Sequence, residues 1–234
     1  MHTKTSTVLE HIFSSIIRRN TGEKVWEWLQ EEVRAQEKSG SPDLLNILFS
    51  SVQRKTGKSI IQLTEEEQDQ IKTILPGFSL RNWSLDRLCR VWLLMQIDQS
   101  QKGAYIERVK SLFKNSEMNE LVALYSALPV LAYPEEWKSQ CAEGIRSNIG
   151  NVQEAVMLDN PYPSAWLDEA AWNQMILKAF FTEKDTERIV GLYERSNIQL
   201  ALTLSDYAKE RSAAGRPVNP RLWPLVEKFS KGSL

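Results

Sequence analysis

The side chains that most often act as nucleophiles, general bases or metal ligands are few in this sequence. The two histidines, His2 and His11, lie near the amino terminus, and the two cysteines, Cys89 and Cys141, lie far from them in separate apolar segments. Zinc binding requires three or four such ligands at short spacings, and a catalytic triad requires a nucleophile that a histidine can reach. The sequence therefore predicts no metal site and no cofactor, and it favours a protein that is not an enzyme.

More informative are the polar side chains that helical spacing places among apolar ones. At about 100° per residue, Asn148 shares a face with Trp137 and Cys141, so we expect Asn148 to be buried. Asn173 falls between two apolar strips of its own helix. A buried amide needs partners, so we expect Asn173 to be hydrogen-bonded.

Arg211 continues an apolar row at the end of a helix that begins near residue 198. A buried guanidinium needs an acid or carbonyl groups close by. The candidate partners are Asp159, Asp168 and the last carbonyl groups of the same helix. The pattern predicts an internal ion pair or a capped helix end here.

These residues admit two interpretations. They form either an internal polar network that fixes how the helices pack, or a small pocket near the loop that holds Pro161 and Pro163. In the second interpretation the lining consists of Tyr162, Trp166 and Trp172, with Asn148, Asn173 and Arg211 as polar points.

The elements that must position these side chains are helices. Apolar residues recur at helical spacing along the chain, and Gly22, Gly57 and Pro76-Gly77 end successive segments. Thr64 and Glu67 have the spacing of a capping box. The pattern predicts helices near residues 8–17, 42–52, 64–75, 84–95, 105–113, 121–128, 135–148, 152–158, 168–181, 186–193, 198–212 and 220–229.

Length and composition limit the fold and the class of function. At 234 residues the chain can bury a large core, and we expect one all-α domain over residues 1–234. Mostly short connections favour stacked antiparallel helices, as in a HEAT-like stack or an irregular α-solenoid bundle. The 29 basic and 30 acidic residues give no electrostatic footprint for nucleic acid.

Targeting signals and long apolar runs are absent. The longest apolar run, 91–95, is far short of the roughly 20 residues that span a bilayer. Polar residues interrupt the amino-terminal segment, which spoils it as a secretory signal. The two cysteines fit a reducing compartment. We therefore expect a cytoplasmic protein with no transmembrane segment.

Several segments of the chain resemble the EboA family of bacterial and algal-plastid proteins. The residues that carry the resemblance are AEGIRSN (142–148), LDNPYP (158–163), DEAAWNQMILKAFF (168–181) and DYAKERSAAGRPV (206–218). Eight positions match the family's motifs: Arg146, Asn148, Asn160, Trp172, Asn173, Gln174, Glu210 and Arg211. On this ground we add Arg146 and Asn160 to the candidate pocket or polar network.

The resemblance implies a place in a gene cluster that also encodes a prenyltransferase-like membrane protein, a TatD-like hydrolase and a dehydroquinate-synthase-like enzyme. That cluster is associated with moving metabolite precursors towards the periplasm. It assigns no catalytic residue to this chain. Three hypotheses follow: a non-enzymatic accessory protein that docks other proteins of the cluster, a carrier of an aromatic or isoprenoid precursor, and an enzyme with an unfamiliar site around Arg211.

Overall fold

A computed structural model describes residues 2–39 and 41–230, apart from the side chains of residues 2–5, 37, 42 and 230, so the side chain of His2 lies outside it. Over the described residues the regular structure is helical, with one isolated antiparallel bridge between Ile60 and Ser84. The predicted all-α class is confirmed. Within the same residues no helix has both the length and the apolar character needed to cross a membrane.

The α-helices follow one another along the chain with short 3₁₀ turns between some of them. In order they are α1 (His2–Thr21), α2 (Glu23–Ser39), α3 (Pro42–Thr56), α4 (Glu65–Ile74), α5 (Leu85–Met95), α6 (Lys102–Asn115), α7 (Met118–Ala127), α8 (Lys138–Arg146), α9 (Gly150–Met157), α10 (Tyr162–Trp166), α11 (Glu169–Phe181), α12 (Ile198–Ala213) and α13 (Trp223–Ser230).

Helix ends lie close to where the sequence signals predict them. Gly22 adopts the left-handed conformation directly after α1, and the capping box of Thr64 and Glu67 forms at the start of α4. Ser41 and Ser84 occupy the N-cap positions of α3 and α5, but neither side chain caps its helix. The local signals therefore predict where these helices begin, but they do not predict whether the N-cap side chain forms a hydrogen bond.

Two segments depart from the predicted elements. Helix α2 has no counterpart in the prediction, because its polar residues outnumber the few that reach the core, among them Trp26 and Leu29. The helix predicted at 186–193 is wrong, since only the 3₁₀ turn Thr186–Arg188 forms there. Gly191 follows in the left-handed conformation, and a Cβ at that position would lie 2.2 Å from Ser164 Oγ. The chain has to turn at Gly191, and a helix cannot continue through it.

The core is centred on α5 and α7. Helix α5 packs against α1, α3 and α7, and α7 packs in turn against α9. The fully buried Arg90 of α5 forms an ion pair with Asp86 at 2.5 Å, lies 3.9 Å from Glu120 and donates to the carbonyl oxygen of Phe49 at 2.9 Å. A buried charge is tolerated only when it is paired in this way.

Some neighbouring helices are antiparallel and others are parallel. A HEAT-like stack of antiparallel helices therefore stays a prediction. Helices α5 and α7 are antiparallel, because Arg87 contacts Ser126 while Arg90 faces Glu120. Helices α11 and α12 run in the same direction. Near their starts, Asn173 contacts Asn197, and near their ends Tyr207 of α12 donates to the carbonyl oxygen of Phe180 in α11. The 182–197 connector between them is correspondingly long.

Candidate functional site

The residues of the predicted pocket or polar network do not form one site in the structure. Four of them are buried between helices, namely Asn160, Tyr162, Trp172 and Asn173, whereas Arg146 and Arg211 line a groove at the surface of the carboxy-terminal half. The pocket near Pro161 and Pro163 is therefore wrong as an arrangement of residues. The contacts that each residue makes at its own location show what most of these side chains do.

Asn173 connects α11 to the beginning of α12. Its amide exchanges two hydrogen bonds with the side chain of Asn197, at 3.1 and 2.9 Å. The Oδ1 atom of Asn197 also accepts the N–H of Leu200 at 2.9 Å and thereby caps α12. The predicted hydrogen bonding of Asn173 is confirmed, and its effect is to fix the register of the two helices.

Asn160 and Tyr162 hold the loop after α9 against the core. The buried amide of Asn160 donates to the carbonyl oxygens of Tyr125 and Ala155 at 3.0 and 2.9 Å, and it accepts the N–H of Tyr162 at 3.0 Å. The hydroxyl of Tyr162 donates to the carbonyl oxygen of Pro134. All the polar groups of these two side chains are used within the fold, so they have no spare donor for a ligand.

The aromatic residues of the predicted pocket pack against protein groups. Trp166 stacks on Tyr162 with a 6.3 Å centroid separation. The guanidinium of Arg195 lies 4.6 Å from the ring centroid of the buried Trp172 and donates to backbone carbonyls of the α10 segment, including that of Leu167 at 2.9 Å. Burial lowers the pKa of Arg195. These aromatic side chains therefore contact other groups of the protein.

The acids proposed as partners of Arg211 have other roles. Asp159, which adopts a left-handed backbone conformation, forms an ion pair with Arg188 at 2.6 Å that raises the pKa of the arginine. Asp168 caps α11 by accepting the N–H of Ala171 at 2.8 Å. The proposed pairing of Arg211 with either acid is wrong.

Arg211 is only partly buried, with 17% of its side chain exposed. Its Nε donates to the carbonyl oxygen of Pro217 at 2.8 Å, its Nη1 donates to the Tyr207 hydroxyl at 3.3 Å, and Nη2 lies 3.4 Å from a carboxylate oxygen of Glu183. The expected carbonyl partner exists, but it belongs to the segment after α12. The guanidinium is therefore held in place at the edge of the groove.

The predicted burial of Asn148 is wrong. Helix α8 ends at Arg146, so the helical spacing that placed Asn148 beside Trp137 and Cys141 no longer applies two residues later. Asn148 is exposed, and so is Arg146. Arg146 makes no hydrogen bond or ion pair with any residue that the structure describes.

The groove itself, which we call the carboxy-terminal groove, lies between α8, α11 and α12 and has a volume of about 580 Å³. Its apolar side chains include Ile145, Leu177, Phe181 and Tyr207, and 67% of Phe181 is exposed. The second apolar strip of α11, which carries Leu177 and Phe181, is open here. The complete lining is Ile145, Arg146, Gln174, Leu177, Lys178, Phe181, Thr203, Asp206, Tyr207, Glu210, Arg211, Ala214 and Arg216.

Charge around the groove is predominantly positive. Arg146, Lys178, Arg211 and Arg216 line it together with two acids, one of which, Asp206, forms an ion pair with Lys209 outside the lining. Arg216 has no side-chain partner among the described residues, as is the case for Arg146. An apolar floor with unpaired guanidinium groups at its edge can bind a small molecule that has an apolar body and an anionic group.

Groups suited to covalent or metal chemistry are not gathered in the groove. Its two hydroxyl groups both donate to backbone carbonyls, from Thr203 to Gln199 at 2.9 Å and from Tyr207 to Phe180 at 3.2 Å. Among the residues that the structure describes, no cluster of three or more His, Cys, Asp or Glu side chains could hold a metal ion.

The sequence signals point to only part of this groove. Four of the eight positions that carry the family resemblance, Arg146, Gln174, Glu210 and Arg211, line it. Three others, Asn160, Trp172 and Asn173, are buried and structural. Lys178, Phe181, Tyr207 and Arg216 were missed, although the open apolar strip of α11 was a usable signal.

Comparison with known proteins identifies one family. The family model described as metabolite traffic protein EboA matches residues 9–227 of the 234-residue chain. No curated protein and no solved structure shows a significant match. The matched range contains every residue of the carboxy-terminal groove.

Proposed function

The chain belongs to the EboA family of metabolite traffic proteins, and from this premise we propose that it is a non-enzymatic accessory protein that holds a small anionic metabolite in the carboxy-terminal groove. The metabolite has an apolar body, aromatic or isoprenoid, and carries a carboxylate, sulfonate or phosphate group. The proposal includes a cytoplasmic location, which is supported by two free, buried cysteines.

One observation carries this proposal: the groove combines the open apolar strip of α11 with guanidinium groups that lack protein partners. Its volume of about 580 Å³ falls within the range of small-molecule sites, roughly 300–1,000 Å³. Covering an exposed aromatic side chain with a ligand contributes about 1.5–3 kcal/mol. A charge-assisted hydrogen bond adds both affinity and orientation.

The test measures binding of 8-anilinonaphthalene-1-sulfonate, an aromatic anion whose fluorescence rises in apolar sites, to the purified full chain. Phe181→Ala removes the exposed ring, and Arg146→Ala removes a cation that has no protein partner. We expect Phe181→Ala to weaken binding by about tenfold or more and Arg146→Ala to weaken it by about threefold, in both cases without unfolding the protein. Arg54→Ala, an exposed arginine on α3, is the matched control and should leave binding unchanged.

The competing interpretations give different results. Equal binding to the unchanged protein and to both groove variants would overturn the groove as the binding site. Native mass spectrometry of protein purified from its own host provides a second measurement, in which a retained ligand of defined mass supports the carrier function. Turnover of that ligand during incubation would contradict the non-enzymatic assignment.

A second candidate function is the docking of other proteins of the pathway. Ile198 and Leu202 lie one turn apart on α12, beside the groove, with 64% and 57% of their surfaces exposed. Exposed apolar residues in adjacent turns of one helix are typical of a surface that a partner protein covers.

Docking is tested by co-purification with the other products of the gene cluster. The double variant Ile198→Glu and Leu202→Glu should lose the partner and keep its binding of the fluorescent anion. Ile47→Glu, which changes a residue of α3 with the same 64% exposure, is the control. If no cluster product co-purifies with the unchanged protein, docking is excluded and the carrier proposal is unaffected.

A further inference from the structure

A second cavity, smaller and polar, lies between the start of α5 and the helices α7 and α9. Its volume is about 300 Å³. It shares no residue with the carboxy-terminal groove, and we call it the Arg87 cavity. Its lining is Arg81, Asn82, Trp83, Ser84, Arg87, Asn119, Val122, Asn151, Glu154, Ala155, Leu158, Asp159 and Arg188.

Arg87 is the central cation of this cavity. Its guanidinium lies 4.0 Å from the ring centroid of the buried Trp83, and its Nε donates to the hydroxyl of Ser126 at 2.8 Å. No described carboxylate lies within ion-pair distance of Arg87, and its two terminal nitrogens make no hydrogen bond to a described residue. The side chain is thus oriented by protein contacts while two of its nitrogens remain available.

Burial, and to a smaller extent the positive charge of Arg188, lowers the pKa of Arg87 to about 9, although the carboxylate of Asp159 acts in the opposite direction. The guanidinium is still protonated at neutral pH. A partly buried cation without an acid is costly for the fold, and an anion bound beside it would relieve that cost.

The two acids in the cavity wall are already neutralised. Glu154 forms an ion pair with Lys184 at 2.9 Å, and Asp159 forms one with Arg188 at 2.6 Å. Arg81, the third arginine of the lining, is exposed and has no side-chain partner among the described residues. Positive charge therefore exceeds negative charge in and immediately around the cavity.

Amide donors come from the remaining walls. Asn82 precedes α5, Asn119 lies in the first turn of α7 and Asn151 lies in the first turn of α9. None of the three side chains makes a hydrogen bond with a residue that the structure describes. These amides and the arginines belong to different elements, so the donors come from more than one side of the cavity.

We propose that the Arg87 cavity binds a phosphate group, with Arg87 and Arg81 as the charged donors and the asparagine amides completing the site. A phosphate group has acceptor oxygens in tetrahedral directions, which suits donors from several walls, whereas a carboxylate is planar and needs two parallel donors. The phosphate belongs to either free inorganic phosphate or a small phosphomonoester. The proposal does not depend on the function of the carboxy-terminal groove.

The experiment is calorimetric titration of the full chain with inorganic phosphate, glycerol 3-phosphate and acetate at constant ionic strength. We expect saturable binding of the phosphate ligands and weaker binding of acetate. Tighter binding of glycerol 3-phosphate than of inorganic phosphate identifies a phosphomonoester as the ligand class, and equal or weaker binding identifies the free ion. No saturable phosphate binding up to roughly 10 mM, or equal binding of acetate, overturns the proposal.

Variants locate the site. Arg87→Gln removes the charge, keeps hydrogen-bonding groups and should weaken phosphate binding about tenfold or more, and Arg81→Ala should weaken it about threefold. Arg34→Ala, an exposed arginine on α2, is the control and should have no effect. If Arg87→Gln does not fold, Arg81→Ala decides the outcome, because its side chain has no partner to lose. Unchanged affinity in the folded variants overturns the assignment.

Discussion

Replacing Asn173 by alanine tests whether the polar residues on apolar faces stabilise the fold or bind a ligand. The substitution removes both hydrogen bonds that Asn173 exchanges with Asn197 between α11 and α12. Each hydrogen bond contributes about 0.5–1.5 kcal/mol, so we expect the free energy of unfolding to fall by about 1–3 kcal/mol. Urea unfolding followed by far-ultraviolet circular dichroism measures the change.

Changes at Asn197 separate the pair from the helix cap. Asn197→Ala removes the pair and also the cap on the N–H of Leu200, so it should cost about 0.5–2 kcal/mol more than a change that removes the pair alone. Asn197→Asp keeps an oxygen for the cap and loses the donor to Asn173 Oδ1. Its effect should therefore be smaller than that of Asn197→Ala.

The double variant with alanine at both positions completes the cycle. If Asn173 and Asn197 act through each other, its destabilisation should be less than the sum of the single effects by about 1–2 kcal/mol. Gln174→Ala, the exposed neighbour on the same helix, should change stability by less than about 0.5 kcal/mol. Additive effects, or a folded Asn173→Ala protein of normal stability that no longer binds the fluorescent anion, would refute the structural role.

Gly144→Ala should destabilise the protein by about 1–2 kcal/mol in urea unfolding, although alanine favours helices, because the new Cβ would lie 2.6 Å from Tyr125 Cε1. Gly103→Ala, in α6 with no atom near its Cβ position, should be neutral or slightly stabilising, and equal effects at the two glycines would contradict the packing argument. Cys89 and Cys141 are buried, which raises the pKa of both thiols, that of Cys141 to about 12. Both thiols stay protonated as the pH rises from 7 to 9, so a disulfide reagent should label the folded chain slowly over this whole range. After denaturation the reagent should label two thiols. Fast labelling of the folded chain at neutral pH would contradict this expectation.

The helices could be predicted where apolar spacing and end signals agree. Thr64 and Glu67 form the expected capping box, and Asn173 is hydrogen-bonded as expected, because both features depend on residues a few positions apart or on the face of one helix. Gly191 shows the limit of this reasoning, since the close approach of Ser164, which leaves no room for a side chain at that position, comes from a distant segment.

The groove was harder to predict than the helices. Helical spacing places Asn148 beside Trp137 and Cys141 only if α8 continues to residue 148, but α8 ends at Arg146 and Asn148 is exposed. Helical spacing puts Leu177 and Phe181 on an apolar strip of α11, but periodicity does not show whether a neighbouring helix covers such a strip or leaves it open. The partner of Arg211 depends on the path of the chain after α12, which carries no periodic signal.

The shared direction of α11 and α12 has a consequence for synthesis. A hairpin of two helices can close as soon as its second helix leaves the ribosome tunnel, but a parallel pair needs a connector that first travels back along α11, about 20 Å for its 13 residues. Until α12 has emerged, the side chains of α11 that pack against α12 in the folded chain are accessible to chaperones and proteases. Nascent chains that stop before residue 198 should therefore be the most vulnerable to degradation.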